Sequence, residues 1–286
     1  MIKGARITIV GFGHMGQALA KGFIDNGLQP AHIHAIDPDI HAQQAAKELG
    51  IDGSKTLAGL VHPPSVVLLA VKPQMMADIL PELQKLACET TFFLSIAAGV
   101  KMATLQKHLG QDARIVRAMP NMPAAIGYGM TALCHTGPLA FQQFALAESL
   151  MACVGTYAWL EDENLMDAVT AVSGSGPAYV FYLIEAMAKA GEKQGLNKEL
   201  AQTLAIETCR GAGEMAAYCR ENQTPEALRY SVMSKGGTTE AAVKALQGEG
   251  RNEGTIEGPN GGDFEALVAH AVAAACARSK ELATTA

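Results

Sequence analysis

Residues 6–16 read Arg6-Ile7-Thr8-Ile9-Val10-Gly11-Phe12-Gly13-His14-Met15-Gly16, and this stretch decides the fold of the chain. The β-branched run predicts a buried strand, and the residues from Gln17 onward predict a helix. A strand, a Gly-x-Gly-x-x-Gly turn and a helix in this order predict a doubly wound α/β domain that binds a dinucleotide. In such a turn Gly11 permits the tight bend, Gly13 leaves room for a pyrophosphate, and Gly16 lets helix and strand pack closely. A tight turn without any ligand is the alternative.

Four more short apolar runs follow in the first half of the sequence. They predict strands over residues 32–36, 66–71, 92–96 and 114–117. Unbroken apolar runs between helical patterns are typical of strands that are covered on both faces, and hence of a parallel sheet. The first half is therefore predicted to be a Rossmann-type domain with a doubly wound parallel sheet.

The second half lacks such runs and is predicted to be helical. Patterns rich in Ala, Leu and Met predict helices over residues 178–194, 198–220 and 264–282. We place the domain boundary near Asp162, which gives a dinucleotide-binding domain over residues 1–162 and an all-helical domain over residues 163–286. The glycine-rich segment 248–262 is predicted to be an exposed loop between two helices.

Composition narrows the class of protein without revealing its chemistry. The chain has 286 residues, 49% of them hydrophobic, and a formal net charge of −6, so it has no bulk attraction to nucleic acid or anionic lipid. No apolar run reaches the roughly 18 residues that span a bilayer, and the N-terminus lacks the pattern of a signal peptide. The six cysteines are scattered, so we predict that they form no metal site. We also predict that the protein is cytoplasmic and that its cysteines are reduced thiols.

An acidic residue stands at the end of the second predicted strand. A carboxylate at Asp37 would accept hydrogen bonds from a ribose 2′-hydroxyl and repel a 2′-phosphate, which favours NAD(H) over NADP(H). Alternatively, Asp37-Pro38-Asp39 simply turns the chain and caps the next helix. We expect no basic side chain near Asp37, because the closest one along the chain is Lys47.

Two further strand ends carry small residues. Ala70-Val71-Lys72-Pro73 and Ser95-Ile96-Ala97-Ala98-Gly99 each follow an apolar run, at the carboxyl edge where open α/β sheets bind ligands. Either segment alone is an ordinary exit from a strand. Together they outline a crevice.

Two glycine-rich segments mark the helical half. In Ser173-Gly174-Ser175-Gly176-Pro177, Ser175 is a candidate N-cap and Pro177 suits a first helical turn, although a flexible hinge is the simpler interpretation. In Ser234-Lys235-Gly236-Gly237-Thr238-Thr239-Glu240, two glycines and two threonines precede a helix. Backbone N–H groups and hydroxyls at such a start form a small anion pocket that suits a carboxylate, and an ordinary threonine cap is the alternative.

Over nearly the whole chain, these motifs resemble those of the pyrroline-5-carboxylate reductase family. They are GFGHMG at 11–16, AVKP at 70–73, SIAAGV at 95–100, RAMPNMP at 117–123, VSGSGPAYVFYLIEAM at 172–187 and SKGGTTEAAV at 234–243. The resemblance implies reduction of 1-pyrroline-5-carboxylate to L-proline by NADPH or NADH, the final step of proline biosynthesis. It also implies that the helical domain forms an intertwined homodimer, which is often built into a decamer of dimers.

The resemblance further assigns the site residues. Thr239 would be catalytic by hydrogen-bonding the ring nitrogen of the substrate. The substrate pocket would comprise Val232, Met233, Ser234, Gly236, Gly237, Thr238 and Thr239. The dinucleotide would be bound by Gly11, Phe12, Gly13, His14, Met15, Gly16, Asp37, Ala70, Val71, Lys72, Pro73, Ala97, Ala98, Pro120 and Asn121.

The chain also departs from the family pattern. Met122 and Lys235 replace a threonine and a proline that the family usually carries, and residues 251–262 look like an insertion. Two other activities fit the same motifs, namely reduction of a related cyclic imino acid and non-catalytic sensing of NAD(P)H. The glycine–threonine pocket argues against the sensor, because a sensor needs no second anion site.

Overall fold

The structure, a computed structural model, describes residues 2–248 and 264–285. The chain divides into two compact units, one made of Met1–Pro177 with Ala275–Ala286 and the other of Ala178–Ala274. The boundary near Asp162 stays a prediction. The insertion at 251–262, like the predicted loop beyond Gly248, lies outside the described residues.

The first unit is built on a single eight-stranded sheet. Its strands are β1 Ile7–Val10, β2 Ile33–Ile36, β3 Asp52–Ser54, β4 Val66–Leu69, β5 Phe92–Ser95, β6 Ile115–Met119, β7 Gly129–Thr136 and β8 Gly155–Trp159. They lie in the order β3-β2-β1-β4-β5-β6-β7-β8, and β7 runs antiparallel to β6 whereas the other neighbours are parallel. The predicted Rossmann-type sheet is thus confirmed as mostly parallel, and β3, β7 and β8 are strands that the apolar runs did not predict.

Helices cover both faces of this sheet. The α-helices found in the described residues are α1 His14–Asp25, α2 Ile40–Glu48, α3 Met76–Leu83, α4 Met102–Leu109, α5 Phe141–Ala152, α6 Met166–Val169, α7 Gly176–Lys193, α8 Lys198–Cys219, α9 Pro225–Ser231, α10 Thr238–Leu246 and α11 Phe264–Thr285. Strand β4 shows the two-sided burial most clearly. Val66 and Leu68 pack with α1, α2 and α5, whereas Val67 and Leu69 pack with α3 and α4 on the other face. This burial explains why the strand is apolar at every position.

The second unit is helical, as predicted. Helix α7 has no buried residue, and the buried residues of α8 are Ala201 and Ala205. Large apolar side chains of both helices are therefore open to solvent in the single chain. None of the described helices combines the length and the apolar character needed to cross a bilayer.

Candidate active site

A cleft of about 850 Å³ opens where β1, β2 and β4 end. Its volume lies in the range of cofactor sites, and its position is the one at which doubly wound sheets bind ligands. Eight residues predicted to bind the dinucleotide line it: Gly11, Phe12, Gly13, His14, Asp37, Ala70, Val71 and Lys72.

The three glycines of the turn have different structural roles. Gly11 has a φ of +88°, and a Cβ there would lie 2.7 Å from the Val71 nitrogen. A Cβ on Gly16 would lie 2.6 Å from the Gly11 carbonyl oxygen, so Gly16 permits close packing of α1 on β1. Gly13 is the N-cap of α1, and a Cβ there would meet nothing within 4 Å. Gly13 and His14 line the cleft, so the N-terminus of α1 opens on it, which fits a pyrophosphate.

Asp37 shapes the same turn. Its Oδ2 accepts a hydrogen bond from the Phe12 N–H at 2.7 Å, and its Oδ1 accepts one from the Asp39 N–H at 2.9 Å. Asp39 is the N-cap of α2, because its Oδ1 accepts the His41 N–H at 2.6 Å. Asp37 therefore lines the cleft and also holds the glycine-rich turn in place.

A basic residue does lie in the cleft with Asp37, contrary to our expectation. Lys55 follows β3, and both residues line the same cavity. The Asp37 N–H donates to the Ser54 carbonyl at 3.1 Å, because β2 and β3 pair with Ile36 opposite Ser54. Lys55 is 18 positions from Asp37 in the sequence, and only the pairing of β2 with β3 brings it to the cleft. This pairing could not be predicted, because β3 contains no apolar run.

The other predicted dinucleotide residues do not line the cleft. Ala97 is buried among α3 and α4, Pro120 is buried after β6, and Met15 packs against the core on the face covered by α1. The full set outside the cleft lining is Met15, Gly16, Pro73, Ala97, Ala98, Pro120 and Asn121. Their role in dinucleotide binding stays a prediction.

The segment 173–177 differs from the prediction. Ser175 is not an N-cap, because its backbone is helical, with φ −84° and ψ −22°. Its N–H donates to the Thr170 carbonyl at 2.8 Å and closes the π-helical turn Thr170–Gly174, which connects α6 to α7. The chain thus enters α7 from a preceding helical turn and leaves Ser175 no capping role.

The predicted substrate motif forms the turn between α9 and α10. Gly236 has a φ of +73°, which favours glycine, and a Cβ on Gly237 would lie 3.0 Å from the Ser234 carbonyl oxygen, a tight contact that glycine avoids. Val232 is exposed, whereas Met233 and Thr239 are half-buried. Thr238 and Thr239 open α10, where backbone N–H groups have no acceptor within the helix.

A carboxylate already sits at this turn. Glu240 accepts the Gly236 N–H, and its Oε1 lies 3.2 Å from Lys244 Nζ. The bond from Gly236, followed by the one from Lys244, lowers the pKa of Glu240. A carboxylate of the first turn of α10 thus accepts a backbone N–H of this turn, an arrangement that an ordinary helix cap also gives, and the anion pocket stays a prediction.

Comparison with known proteins identifies the family. Residues 163–282 match the family model described as pyrroline-5-carboxylate reductase dimerisation, and residues 6–99 match one described as coenzyme F420-dependent NADP oxidoreductase. The pyrroline-5-carboxylate reductase of Pseudomonas aeruginosa is 42% identical over 281 residues, which cover 97% of each sequence. The chain belongs to the pyrroline-5-carboxylate reductase family.

Solved structures of this family have the same fold. A pyrroline-5-carboxylate reductase from Coxiella burnetii is 34% identical, with a TM-score of 0.86, over 97% of this chain and 98% of that one. The Plasmodium falciparum pyrroline carboxylate reductase with NADP bound is 26% identical, with a TM-score of 0.82, over 99% and 100%. The resemblance drawn from the motifs is confirmed, and the chain is an NAD(P)-dependent oxidoreductase with a dimerisation domain.

Proposed function

We propose that this chain reduces 1-pyrroline-5-carboxylate to L-proline with NAD(P)H, the final step of proline biosynthesis. The reaction adds a hydride to the carbon of a ring C=N bond and leaves a proton on the nitrogen. The protein must therefore orient two ligands, anchor one carboxylate and offer one hydrogen bond to the ring nitrogen. The observation that carries the proposal is the turn before α10, where the Gly236 N–H donates to a carboxylate.

The first unit would hold the dinucleotide, which supplies the hydride when bound. The N–H groups that open α1 above Gly13 would bind its pyrophosphate. Asp37 lines the cleft at the end of β2, where this fold places the adenosine ribose. Ala70, Val71 and Lys72 would flank the dinucleotide where β4 ends.

The turn before α10 would hold the substrate. The substrate carboxylate would replace that of Glu240 on the Gly236 N–H and would also take the N–H of Thr238. The Gly237 N–H donates to the Ser234 carbonyl at 2.9 Å, so it contributes less. The Thr239 hydroxyl would hydrogen-bond the ring nitrogen, which fixes the orientation of the ring in this pocket.

Thr239→Val tests this assignment, because it removes the hydroxyl and keeps the shape of the side chain. We expect turnover to fall at least a hundredfold while the dissociation constant of the dinucleotide stays within twofold. Thr203→Val is the control, since Thr203 Oγ1 donates to the Glu199 carbonyl within α8, at 2.9 Å. Unchanged turnover in Thr239→Val would remove Thr239 from the mechanism.

The same assay separates the rival activities. Turnover with a six-membered cyclic imino acid and none with 1-pyrroline-5-carboxylate would favour a related imino-acid reductase. Dinucleotide binding without turnover of any imino acid would favour a sensor.

Cofactor preference would depend on Asp37 and Lys55. The Asp37 carboxylate disfavours a 2′-phosphate, whereas the Lys55 ammonium attracts one, and both line the cleft. Lys55→Ala is expected to lower kcat/KM for NADPH several-fold and to leave that for NADH unchanged. Asp37→Ser is expected to shift the ratio toward NADPH. If either substitution changed kcat/KM equally for NADH and NADPH, the roles proposed for Asp37 and Lys55 in cofactor preference would be wrong.

The chain would act as a cytoplasmic homodimer, or as a decamer of ten chains built from such dimers. The open apolar faces of α7 and α8 support the dimer, and the free state of all six cysteines fits a reducing compartment. Light scattering should give at least twice the 30.0 kDa chain mass, and ten times this mass for the decamer.

A further inference from the structure

The side chain of Asn121 joins two segments that are distant in the sequence. Asn121 follows β6, and its Oδ1 accepts the Met130 N–H at 2.9 Å. Its Nδ2 donates to the Ser173 carbonyl at 3.1 Å and lies 3.4 Å from Ser173 Oγ. A backbone N–H requires the oxygen of the amide and a backbone carbonyl requires its nitrogen, so the chemistry of the two partners fixes the orientation of the amide.

The Ser173 carbonyl needs this donor because of the sequence that follows it. In an α-helix a carbonyl accepts the N–H of the residue four positions later. For Ser173 that residue is Pro177, which has no N–H. No bond of this kind can therefore form at the Ser173 carbonyl, and the Asn121 amide supplies a donor from another segment.

The backbone is arranged so that the two segments approach closely. Met119, the last residue of β6, packs against Gly174, and a Cβ on Gly174 would lie 2.7 Å from Met119 Cε. That separation is shorter than van der Waals contact, so a side chain at 174 would force the Met119 side chain out of its place against the turn. The absence of a side chain at Gly174 and of an N–H at Pro177 both favour this junction.

We propose that Asn121 is a positioning residue for the reduction. It fixes the segment from Pro120 to Met122, which follows β6, against the π-helical turn Thr170–Gly174. The inference rests on the proposed function, because β6 runs parallel to β5, β4 and β1, so the segment after β6 leaves the sheet at the carboxyl edge where the dinucleotide cleft opens. Through this junction Asn121 sets the position of that segment during hydride transfer, and it makes no contact with substrate.

Asn121→Asp is the sharpest test, because the carboxylate keeps an acceptor for the Met130 N–H and loses the donor to the Ser173 carbonyl. We expect kcat to fall roughly tenfold or more, since small errors in position slow hydride transfer. The KM and the dissociation constant of the dinucleotide should stay within twofold. The protonated acid can donate, so the ratio of variant to wild-type kcat should rise as pH falls.

Pro177→Ala supplies a second readout that a general structural defect would not change. This substitution would restore the N–H that the helix lacks, so the Ser173 carbonyl would no longer depend on Asn121. The loss caused by Asn121→Asp, and by the neutral Asn121→Ala, should be several-fold smaller in the Pro177→Ala background. Asn26→Asp is the matched control: Asn26 Nδ2 donates to the Gly22 and Cys153 carbonyls at the far end of α1, so kcat should not change.

Two outcomes would overturn the inference. One is a kcat within twofold of wild type for both Asn121 variants. The other is a loss that is the same at every pH and in both backgrounds. Failure of the proposed function is distinguishable, because the wild-type chain itself would then not turn over 1-pyrroline-5-carboxylate. In that event amide hydrogen exchange at Met130 tests the junction directly, and exchange no faster in Asn121→Ala than in wild type would refute it.

Discussion

The two compact units bury their apolar side chains to very different extents. In the sheet, Val66 to Leu69 of β4 are all 0% exposed. In α7, Val180, Phe181 and Tyr182 are 47%, 54% and 72% exposed. Both segments have the apolar composition of a core, but only the first finds its partners within one chain. The difference is physical support for a dimer, since a stable soluble chain rarely leaves an apolar face of this size open.

The largest expected effect comes from a phenylalanine in each unit. Phe93→Ala removes a side chain that is 0% exposed and should cost about 3–5 kcal/mol of unfolding free energy at any protein concentration. Phe181→Ala should weaken assembly instead, because Phe181 is half open in the single chain. Its effect on the urea midpoint should therefore grow as the protein is diluted. If the effect on the urea midpoint depended on protein concentration in the same way for Phe93→Ala and Phe181→Ala, the contrast between the two units would be wrong.

A charged pair inside the sheet unit should have the next largest effect. Arg117 is 4% exposed in β6, and its Nη1 lies 2.7 Å from Glu163 Oε1, which also accepts the Met102 N–H at 2.8 Å. Glu163→Ala would leave the buried guanidinium unpaired and should cost about 3 kcal/mol in chemical denaturation. The exposed Glu161 is the control, and Glu161→Ala should change stability by less than about 0.5 kcal/mol. Equal losses in the two variants would mean that the pair contributes nothing.

In the helical unit, a smaller effect is expected on substrate affinity. Glu240 occupies the Gly236 N–H, so it should compete with the substrate carboxylate. Glu240→Gln should lower the KM for 1-pyrroline-5-carboxylate roughly three- to tenfold, with little change in kcat. A higher KM in initial-rate assays would show instead that the Glu240 carboxylate helps to form the pocket.

The smallest expected effect is a difference in alkylation rate between two cysteines of the sheet unit, and we expect no change in activity. Hydrogen bonding with Thr90 and then with Thr91 lowers the pKa of the exposed Cys88 thiol to about 7, whereas burial raises the pKa of Cys134 to about 11. The thiolate fraction grows as pH rises through the pKa, so the alkylation rate of Cys88 should reach half its plateau near pH 7. Cys134 should react only after unfolding. Mass spectrometry of iodoacetamide-treated protein checks both, and Cys134 labelling in the folded protein would contradict its burial.

The sequence predicts those parts of the fold that depend on local pattern. Strands β1, β2, β4, β5 and β6 are apolar runs because both of their faces are covered. By contrast, Asp52–Ser54 forms β3 only because β2 offers it an edge, and β8 lies at the other edge with alternate residues half-buried. Tertiary pairing overrides local propensity at both edges.

The candidate site shows the same limit. The glycine-rich turn and the Gly236–Gly237 turn are predictable, because each depends on the conformations that only glycine adopts easily. The pairing of β2 with β3 brings Lys55 to the cleft that Asp37 lines, and Asn121 hydrogen-bonds Ser173 across 52 positions. Neither arrangement leaves a local pattern, although Pro177 does signal that the Ser173 carbonyl lacks its i→i+4 donor.

The most direct measurement compares two substrates of the wild-type chain. NAD(P)H oxidation is followed with 1-pyrroline-5-carboxylate and with 1-pyrroline, which has the same ring imine without the carboxylate. We expect rapid turnover of the first, and a kcat/KM at least a hundredfold lower for the second, because the N–H groups before α10 anchor the carboxylate. Equal turnover of the two imines, or none of either, would contradict the proposed function.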